Sequence, residues 1–332
     1  MNKISILGTG SWGVALGEGL ARCGFPVTLW QRNESKVLQI KTQRTHPLID
    51  HYTIHPDIDF TSDLKQAITN SSILVIAVPS HGVRALIKQL NPIVQENVLI
   101  VNAAKGLEQH TLLTMSQVIT DELKNKRNQI VALYGPSHAE EVIRQIPTTL
   151  VAASINEDSA KKIQQLFSSN FIRVYTNSDL LGVELGGSLK NVIAIAAGIC
   201  DGLGYGDNTK AAILTRGIAE MKRLGVAMGA KESTFSGLSG IGDLFVTCAS
   251  RHSRNRFVGE EIGKGKKMDE ILSGMKMVAE GVKTSEAVYQ LCNQFQVEMP
   301  ISLTVYQVIY NQKNPGEAVI DLMNRDLVSE EK

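Results

Sequence analysis

A short apolar run, Ile4-Ser5-Ile6-Leu7, passes directly into Gly8-Thr9-Gly10-Ser11-Trp12-Gly13 and then into a helical pattern at residues 14–23. Few local patterns constrain a fold as tightly. The first glycine permits a tight turn, the second lets a backbone come close to a phosphate, and the third lets helix and strand pack against each other. The helix that follows presents unpaired N–H groups and the positive end of its dipole to an anion. A G-x-G-x-x-G alone is a weak signal; following a strand and opening a helix, it predicts a dinucleotide site.

The next 170 residues repeat that arrangement. Continuous apolar runs at 4–7, 27–30, 73–78, 98–101, 130–134 and 149–153 suit strands covered on both faces of a parallel sheet. Between them, segments such as 83–90 and 112–123 carry apolar residues at helical spacing. Alternating strands and helices predict a doubly wound Rossmann domain. Strand signals end after residue 175 and the remainder is helical, with glycine-rich breaks at 202–206 and 237–242. A chain of 332 residues exceeds one ordinary core. The expected division falls at Gly186-Gly187, giving a Rossmann domain over 1–186 and an all-helical domain over 187–332.

Composition narrows the function classes. A net charge of +1 gives no overall field for nucleic acid or an anionic membrane. Cys23, Cys200, Cys248 and Cys292 are scattered, with no CxxC pair, as in a reduced cytoplasmic chain. The N-terminal apolar run is too short for a signal-peptide core, and the run at 192–200 is half a membrane span. A cytoplasmic location without membrane insertion is expected.

About 20 residues beyond the first strand, an NAD-selective site carries an acid for the ribose 2′-hydroxyl. Here stand Trp30-Gln31-Arg32, with Glu34 close by. Arg32 either pairs a 2′-phosphate, admitting NADPH, or is a solvated arginine. In the second half, Lys190-Asn191 stand at the edge of an apolar helical run, behind Gly186-Gly187-Ser188. Such a lysine either snorkels to water or acts as an acid or base. Gly237-Leu238-Ser239-Gly240-Ile241-Gly242-Asp243 delivers a carboxylate from a glycine-rich turn, and Arg251-His252-Ser253-Arg254-Asn255-Arg256 holds three arginines. The arginine cluster is a small-anion site or a solvated basic turn.

Together these segments resemble the bacterial biosynthetic NAD(P)-dependent glycerol-3-phosphate dehydrogenases. The resemblance spans essentially the whole chain and is densest at residues 183–221 (VELGGSLKNVIAIAAGICDGLGYGDNTKAAILTRGIAEM) and 237–259 (GLSGIGDLFVTCASRHSRNRFVG). It implies reduction of dihydroxyacetone phosphate to sn-glycerol 3-phosphate for phospholipid synthesis, with NADH or NADPH, no metal and a homodimer. It implies a helical domain like that of 6-phosphogluconate dehydrogenases. By this resemblance Lys190 is the proton donor and acceptor, Lys105 a second active-site lysine, and Asp243 the carboxylate that holds the catalytic lysine and the substrate in place. Gly135, Ser137, Asn191, Thr247, Ser253, Arg254 and Asn255 fall to the substrate, with Arg254 and Asn255 on its phosphate. Gly8, Gly10, Ser11, Trp12, Gly13, Arg32, Lys105, Ala139, Arg254, Val278 and Glu280 fall to the cofactor.

One segment departs from the resemblance. Residues 45–57, with His46, His51 and His55 near aspartates, stand where an apolar-Pro-Gly turn is expected. Imidazoles suit zinc, but the spacing fits no closed metal motif. Other readings remain: a hydroxy-acid dehydrogenase, which needs a carboxylate site instead of Arg254-Asn255, a nicotinamide-binding sensor without catalysis, or a nucleic-acid module on the arginine cluster.

Overall fold

The computed structural model describes residues 3–47, 49, 51–124, 127–275 and 279–330. Eight strands form one sheet: β1 (Lys3–Leu7), β2 (Val27–Trp30), β3 (Ile58–Thr61), β4 (Ser71–Ile76), β5 (Leu99–Asn102), β6 (Ile130–Tyr134), β7 (Thr148–Ala153) and β8 (Ile172–Asn177). Their spatial order is β3-β2-β1-β4-β5-β6-β7-β8. Neighbours pair parallel except β6 with β7. The segment between those two holds only a four-residue helix, Ala139–Val142, too short for the crossover that a parallel neighbour requires. β7 therefore runs back along β6.

The central strands are buried on both faces, as their unbroken apolar runs require. One face packs Ile4, Ile6, Leu29 and Val75 against helix α1 (Ser11–Arg22), and the other packs Leu7, Leu74, Ile76 and Ile100 against the helices Val83–Leu90 and Met115–Glu122. Sequence order reverses between β1 and β4, so the crevice at their carboxyl ends is the topological switch point. Of the strands, β3 escaped the sequence reading. It is a four-residue edge strand, Ile58-Asp59-Phe60-Thr61, with one exposed position, too short for a period to register.

The helical half is organised around helix α2 (Leu180–Gly202). It is continuous through Gly186-Gly187, where the sequence placed the division; β8 ends at Asn177 and Asp179 caps the helix through Gly182 N–H. α2 is long and apolar enough to cross a membrane, with mean hydropathy 1.4, but the surrounding helices cover it, and residues 182–200 are buried. Helices α3 (Asp243–Ala249), α4 (Arg254–Gly263) and α5 (Glu280–Phe295) pack on it.

α2 and α4 cross with their backbones in contact. A Cβ on Gly198 would lie 2.0 Å from the Arg256 carbonyl oxygen, and one on Gly259 would lie 2.0 Å from that of Ile195. Gly→Ala inside a helix ordinarily stabilises by about 1 kcal/mol. At Gly259 the backbone clash outweighs this, and Gly259→Ala should destabilise the fold by about 1–3 kcal/mol. Gly19→Ala in α1, where the nearest atom is 3.7 Å away, should be neutral or slightly stabilising. Denaturant midpoints of the two variants check this; equal midpoints would remove the argument for the crossing.

Candidate active site

At the switch point the glycine loop has the shape its sequence requires. Gly8 adopts φ 132°, and a Cβ there would lie 2.4 Å from the Ala77 carbonyl oxygen at the end of β4. A Cβ on Gly13 would lie 2.2 Å from the Gly8 carbonyl oxygen, whereas one on Gly10 would meet nothing within 4 Å. Gly10 caps α1 without offering a side-chain acceptor. Gly10 thus leaves open space ahead of the helix start, where a bound pyrophosphate would meet its first N–H groups. α1 begins at Ser11, three residues before the expected start. Trp12 packs against the sheet core, and its buried indole Nε1 has no partner among the described residues.

β2 ends beside this loop. Gln31 donates to Thr9 Oγ1 at 3.1 Å, and Arg32 is exposed. Glu34 opens the next helix behind its Asn33 cap. The histidine segment folds back onto the same loop. His46 is buried with Nε2 2.8 Å from the Thr9 carbonyl oxygen, and burial lowers its pKa. Glu18 of α1, itself buried, accepts from the Tyr52 hydroxyl at 2.5 Å and the His55 N–H at 2.6 Å. His51 is exposed in a turn at φ 55°. His46 and His55 thus face different partners, and no group of three His, Cys, Asp or Glu among the described residues could hold a metal.

From the glycine loop the crevice leads along the end of β4 to a cluster of charge. Ser80, four residues beyond β4, donates its N–H to Glu280 Oε1 at 3.1 Å and its hydroxyl to Oε2 at 2.5 Å. Glu280 is the first residue of α5, so this contact joins the two halves of the chain. A Cβ on Gly106 would press on Ser80 at 2.6 Å, which sets Lys105 next to the same corner.

Asp243 is the centre of the cluster. Oδ1 accepts from Lys190 Nζ at 2.5 Å and Oδ2 from Lys105 Nζ at 2.6 Å. Lys190 also donates to Thr247 Oγ1 at 2.6 Å, and Lys105 to the Gly135 carbonyl oxygen at 3.0 Å. Ser137 Oγ shares that carbonyl at 3.0 Å. Side-chain exposure is 2% for Asp243, 7% for Lys190 and 20% for Lys105, so the pairs are shielded from bulk water. Burial alone would raise the Asp243 carboxyl; the two ammonium groups override it and hold its pKa below the usual carboxylate range. Burial pulls Lys190 down to about 8, with the Lys105 charge lowering and Asp243 raising it.

Next to Lys190, Asn191 Oδ1 accepts from Asn255 Nδ2 at 2.9 Å, and Asn255 Oδ1 accepts from Gly281 N at 2.9 Å. The pair ties α2 and α4 to the start of α5. The arginine cluster divides by role. Arg256 turns inward to Asp201 at 2.6 Å, and Arg251 is exposed. Arg254, first in α4, reaches solvent from a crowded setting; desolvation lowers its pKa, while Glu280 and Glu140 raise it. Ser253 caps α4, accepting from Arg256 N at 3.2 Å. Ala139 is buried at the start of its short helix, which packs against α1. Val278 lies outside the described residues. Sequence reasoning gave no role to Asn102, Tyr134, Ser80 or Glu184; they act across long separations, and their one sequence signal is polarity at the end of an apolar run or within one.

The arrangement offers a proton donor and a fixed positive centre at one end, and a dinucleotide cradle at the other. Two family models match the chain: NAD-dependent glycerol-3-phosphate dehydrogenase N-terminus over residues 3–160 and C-terminus over residues 179–320. The protein named glycerol-3-phosphate dehydrogenase (NAD(P)+) from Thermoanaerobacter sp. is 51% identical, covering 98% of this chain and 97% of its own length. Its namesake from Fusobacterium nucleatum is 48% identical, covering 98% of each. The crystal structure of glycerol-3-phosphate dehydrogenase from Coxiella burnetii superposes with a TM-score of 0.94 at 34% identity, covering 98% of this chain and 99% of that one. The chain therefore belongs to the NAD-dependent glycerol-3-phosphate dehydrogenase family.

Proposed function

We propose that the chain reduces dihydroxyacetone phosphate to sn-glycerol 3-phosphate with NADH or NADPH, supplying glycerol phosphate for phospholipid synthesis. The observation that carries this reading is the Asp243 carboxylate gripping Lys190 and Lys105 at 2.5 and 2.6 Å across the two halves of the chain. Family membership supports the substrate. The reading includes a cytoplasmic homodimer and a two-domain chain, a Rossmann domain over 1–186 and an all-helical domain over 187–332. Oxidation of NADH and of NADPH, followed with dihydroxyacetone phosphate, tests it directly; a turnover preference for 3-hydroxy acids would replace it.

Gly8, Gly10, Ser11, Trp12 and Gly13 would hold the dinucleotide, with Arg32, Lys105, Ala139, Arg254, Val278 and Glu280 around it. The bound cofactor supplies a hydride to the carbonyl carbon. Lys190 gives its proton to the carbonyl oxygen as negative charge develops there, and recovers it from solvent. Lys105 polarises the same oxygen and positions the substrate. Asp243, with Thr247, fixes the donor nitrogen, a preorganised arrangement that needs no rearrangement at the moment of reaction. Asn191, Gly135 and Ser137 line the cleft, and Arg254 with Asn255 at the start of α4 takes the phosphate, with Ser253 holding that helix end.

A donor with a pKa of about 8 sets the pH profile. Lysine is charged below its pKa, so reduction should be level below about pH 8 and fall about tenfold per unit above it. Oxidation of glycerol 3-phosphate needs the neutral amine and should rise up to the same point. Lys190→Ala should cut turnover by roughly 10²–10⁴-fold with folding and cofactor binding intact. Near-normal turnover in that variant would remove Lys190 from the chemistry.

Phosphate recognition separates from chemistry at Arg254. Arg254→Ala should weaken binding of dihydroxyacetone phosphate by about 1.5–3 kcal/mol. It should leave the poor activity on dihydroxyacetone nearly unchanged. Equal losses on both substrates would make Arg254 structural or catalytic.

Cofactor choice turns on Arg32. No acid follows β2 at Gln31, whose amide is already engaged by Thr9. NADPH should serve at least as well as NADH, and Arg32→Ala should raise the Michaelis constant for NADPH alone. High salt should shrink that difference, because the guanidinium is exposed. Saturation curves for both cofactors decide the matter; equal effects would leave Arg32 a solvated side chain.

A further inference from the structure

Behind Lys105 lies a fully buried polar cluster that the chemistry above does not use. Glu184 of α2, six residues before Lys190, is 0% exposed. Its Oε1 accepts from Asn102 Nδ2 at 2.6 Å and from Ser116 N at 3.0 Å, and its Oε2 meets Ser116 Oγ. Asn102 closes β5 and is equally buried. Its Nδ2 donates a second time, to the Tyr134 hydroxyl at 3.0 Å, and its Oδ1 accepts from Ala104 N at 3.0 Å. Tyr134, the last residue of β6, donates its hydroxyl to the Ala104 carbonyl oxygen at 2.5 Å.

The polarity of this chain of bonds has one consistent direction. The N–H of Ala104 can only donate, so it must face an acceptor. The amide of Asn102 must therefore turn its NH₂ toward Glu184 and its oxygen toward Ala104 N–H. With the other Asn102 hydrogen on the Tyr134 oxygen, the phenolic proton is directed to the Ala104 carbonyl. Both polar groups of Ala104 are thus held by side chains at the point where the strand ladder has ended. The next residue is Lys105, whose ammonium lies 5.5 Å from the centroid of the Tyr134 ring. Gly187 lets α2 lie against that ring, since a Cβ there would be 2.5 Å from it.

We propose that Glu184, acting through Asn102 and Tyr134, is a positioning residue that locks the Ala104 backbone and so aims Lys105 at the substrate carbonyl. The inference rests on the assignment of Lys105 to the substrate made above. It links α2 to catalysis twice: Lys190 touches the substrate, and Glu184 controls the second lysine from the far side of Tyr134. Displacing a reacting group by about 1 Å can cost on the order of 100-fold in rate, so a small loosening here is measurable.

Tyr134→Phe keeps the ring under Lys105 and removes the hydroxyl, with both its bond to the Ala104 carbonyl and the acceptor it offers Asn102 Nδ2. It should lower kcat/KM for dihydroxyacetone phosphate by roughly 10- to 100-fold while the KM for the cofactor stays unchanged. In a Lys105→Ala background the same change should add no further loss, because its effect runs through the missing lysine. Glu184→Gln preserves the Oε1 acceptor and should keep most of the activity, whereas Glu184→Ala should lose as much as Tyr134→Phe. Additive losses in the double variant, a cofactor KM that rises in step, or a Glu184→Gln enzyme as slow as Glu184→Ala would each overturn the proposal. A fully active Lys105→Ala enzyme is a different failure: it would sink the assignment of Lys105 and this inference with it.

Discussion

Asp243 holds a charge where water cannot reach it, and much of the rest of the molecule is arranged around that fact. An isolated buried carboxylate would be protonated rather than tolerated, and removing one partner from a buried ion pair typically costs about 3–5 kcal/mol. Here one oxygen is taken by Lys190 and the other by Lys105. Each lysine needs the carboxylate as much as the carboxylate needs them. Because Lys190 belongs to α2 and Lys105 to the loop after β5, satisfying Asp243 also fixes how the helical half meets the sheet. The glycine turn that carries Asp243 is shaped by the same demand. A Cβ on Gly186 of α2 would lie 2.5 Å from the Ser239 carbonyl oxygen, and one on Gly240 would lie 2.0 Å from that of Phe235. The turn and the helix must touch through bare backbone for the carboxylate to reach both ammonium groups.

Such long-range demands explain what was legible in the sequence. Two-sided burial produces unbroken apolar runs, so six of the eight strands left one; β8, at one edge with Arg173 exposed, left only a short signal at 172–175, and β3, at the other edge and four residues long, left none. The glycine loop was legible because its geometry is local, and Gly8 and Gly13 do meet backbone where a side chain would stand. The residues at 45–57 were not. Their histidines fit no closed metal spacing, and their partners lie elsewhere: His46 contacts the Thr9 carbonyl and the backbone of His55 meets Glu18. Nothing in that segment names a partner more than 30 residues away. The division was expected at Gly186-Gly187, after the strand signals give way to a helical pattern. In α2 the same pair instead allows close contact with Ser239 and Tyr134, and the helix continues.

The substrate residues proposed from the sequence form two neighbouring groups. Lys105, Gly135, Ser137, Lys190, Asp243 and Thr247 share one hydrogen-bonded network, whereas Asn191, Asn255 and Arg254 line up along the start of α4. Resemblance supplied both groups; bottom-up reading supplied only residue types. Three arginines in six residues were read as one cluster, but helical geometry separates them. Arg256 turns back to Asp201 while Arg254 stays at the helix end, where an anion also gains from the dipole.

Charge bookkeeping across the network explains why a lysine is suited to be the donor. With all three groups ionised, Lys190, Lys105 and Asp243 sum to one positive charge beside a neutral ketone. In the proposed reduction an alkoxide would form as hydride arrives; the excess positive charge would stabilise it directly, and proton transfer from Lys190 would leave the trio neutral beside a neutral alcohol. At no stage does the buried site hold a net negative charge, which a low-dielectric setting would penalise most. A carboxylic acid in the same place would begin with no net charge on the trio and end with a net negative one. Burial performs the remaining adjustment. An exposed lysine, with a pKa near 10.4, would hold its proton too tightly to share it at neutral pH. Desolvation inside α2 brings Lys190 to about 8, while Asp243 prevents a further fall that would leave the amine uncharged before substrate arrives. The same carboxylate that joins the two halves of the fold therefore also sets the proton affinity of the donor, so structural and chemical requirements cannot be varied independently at this position.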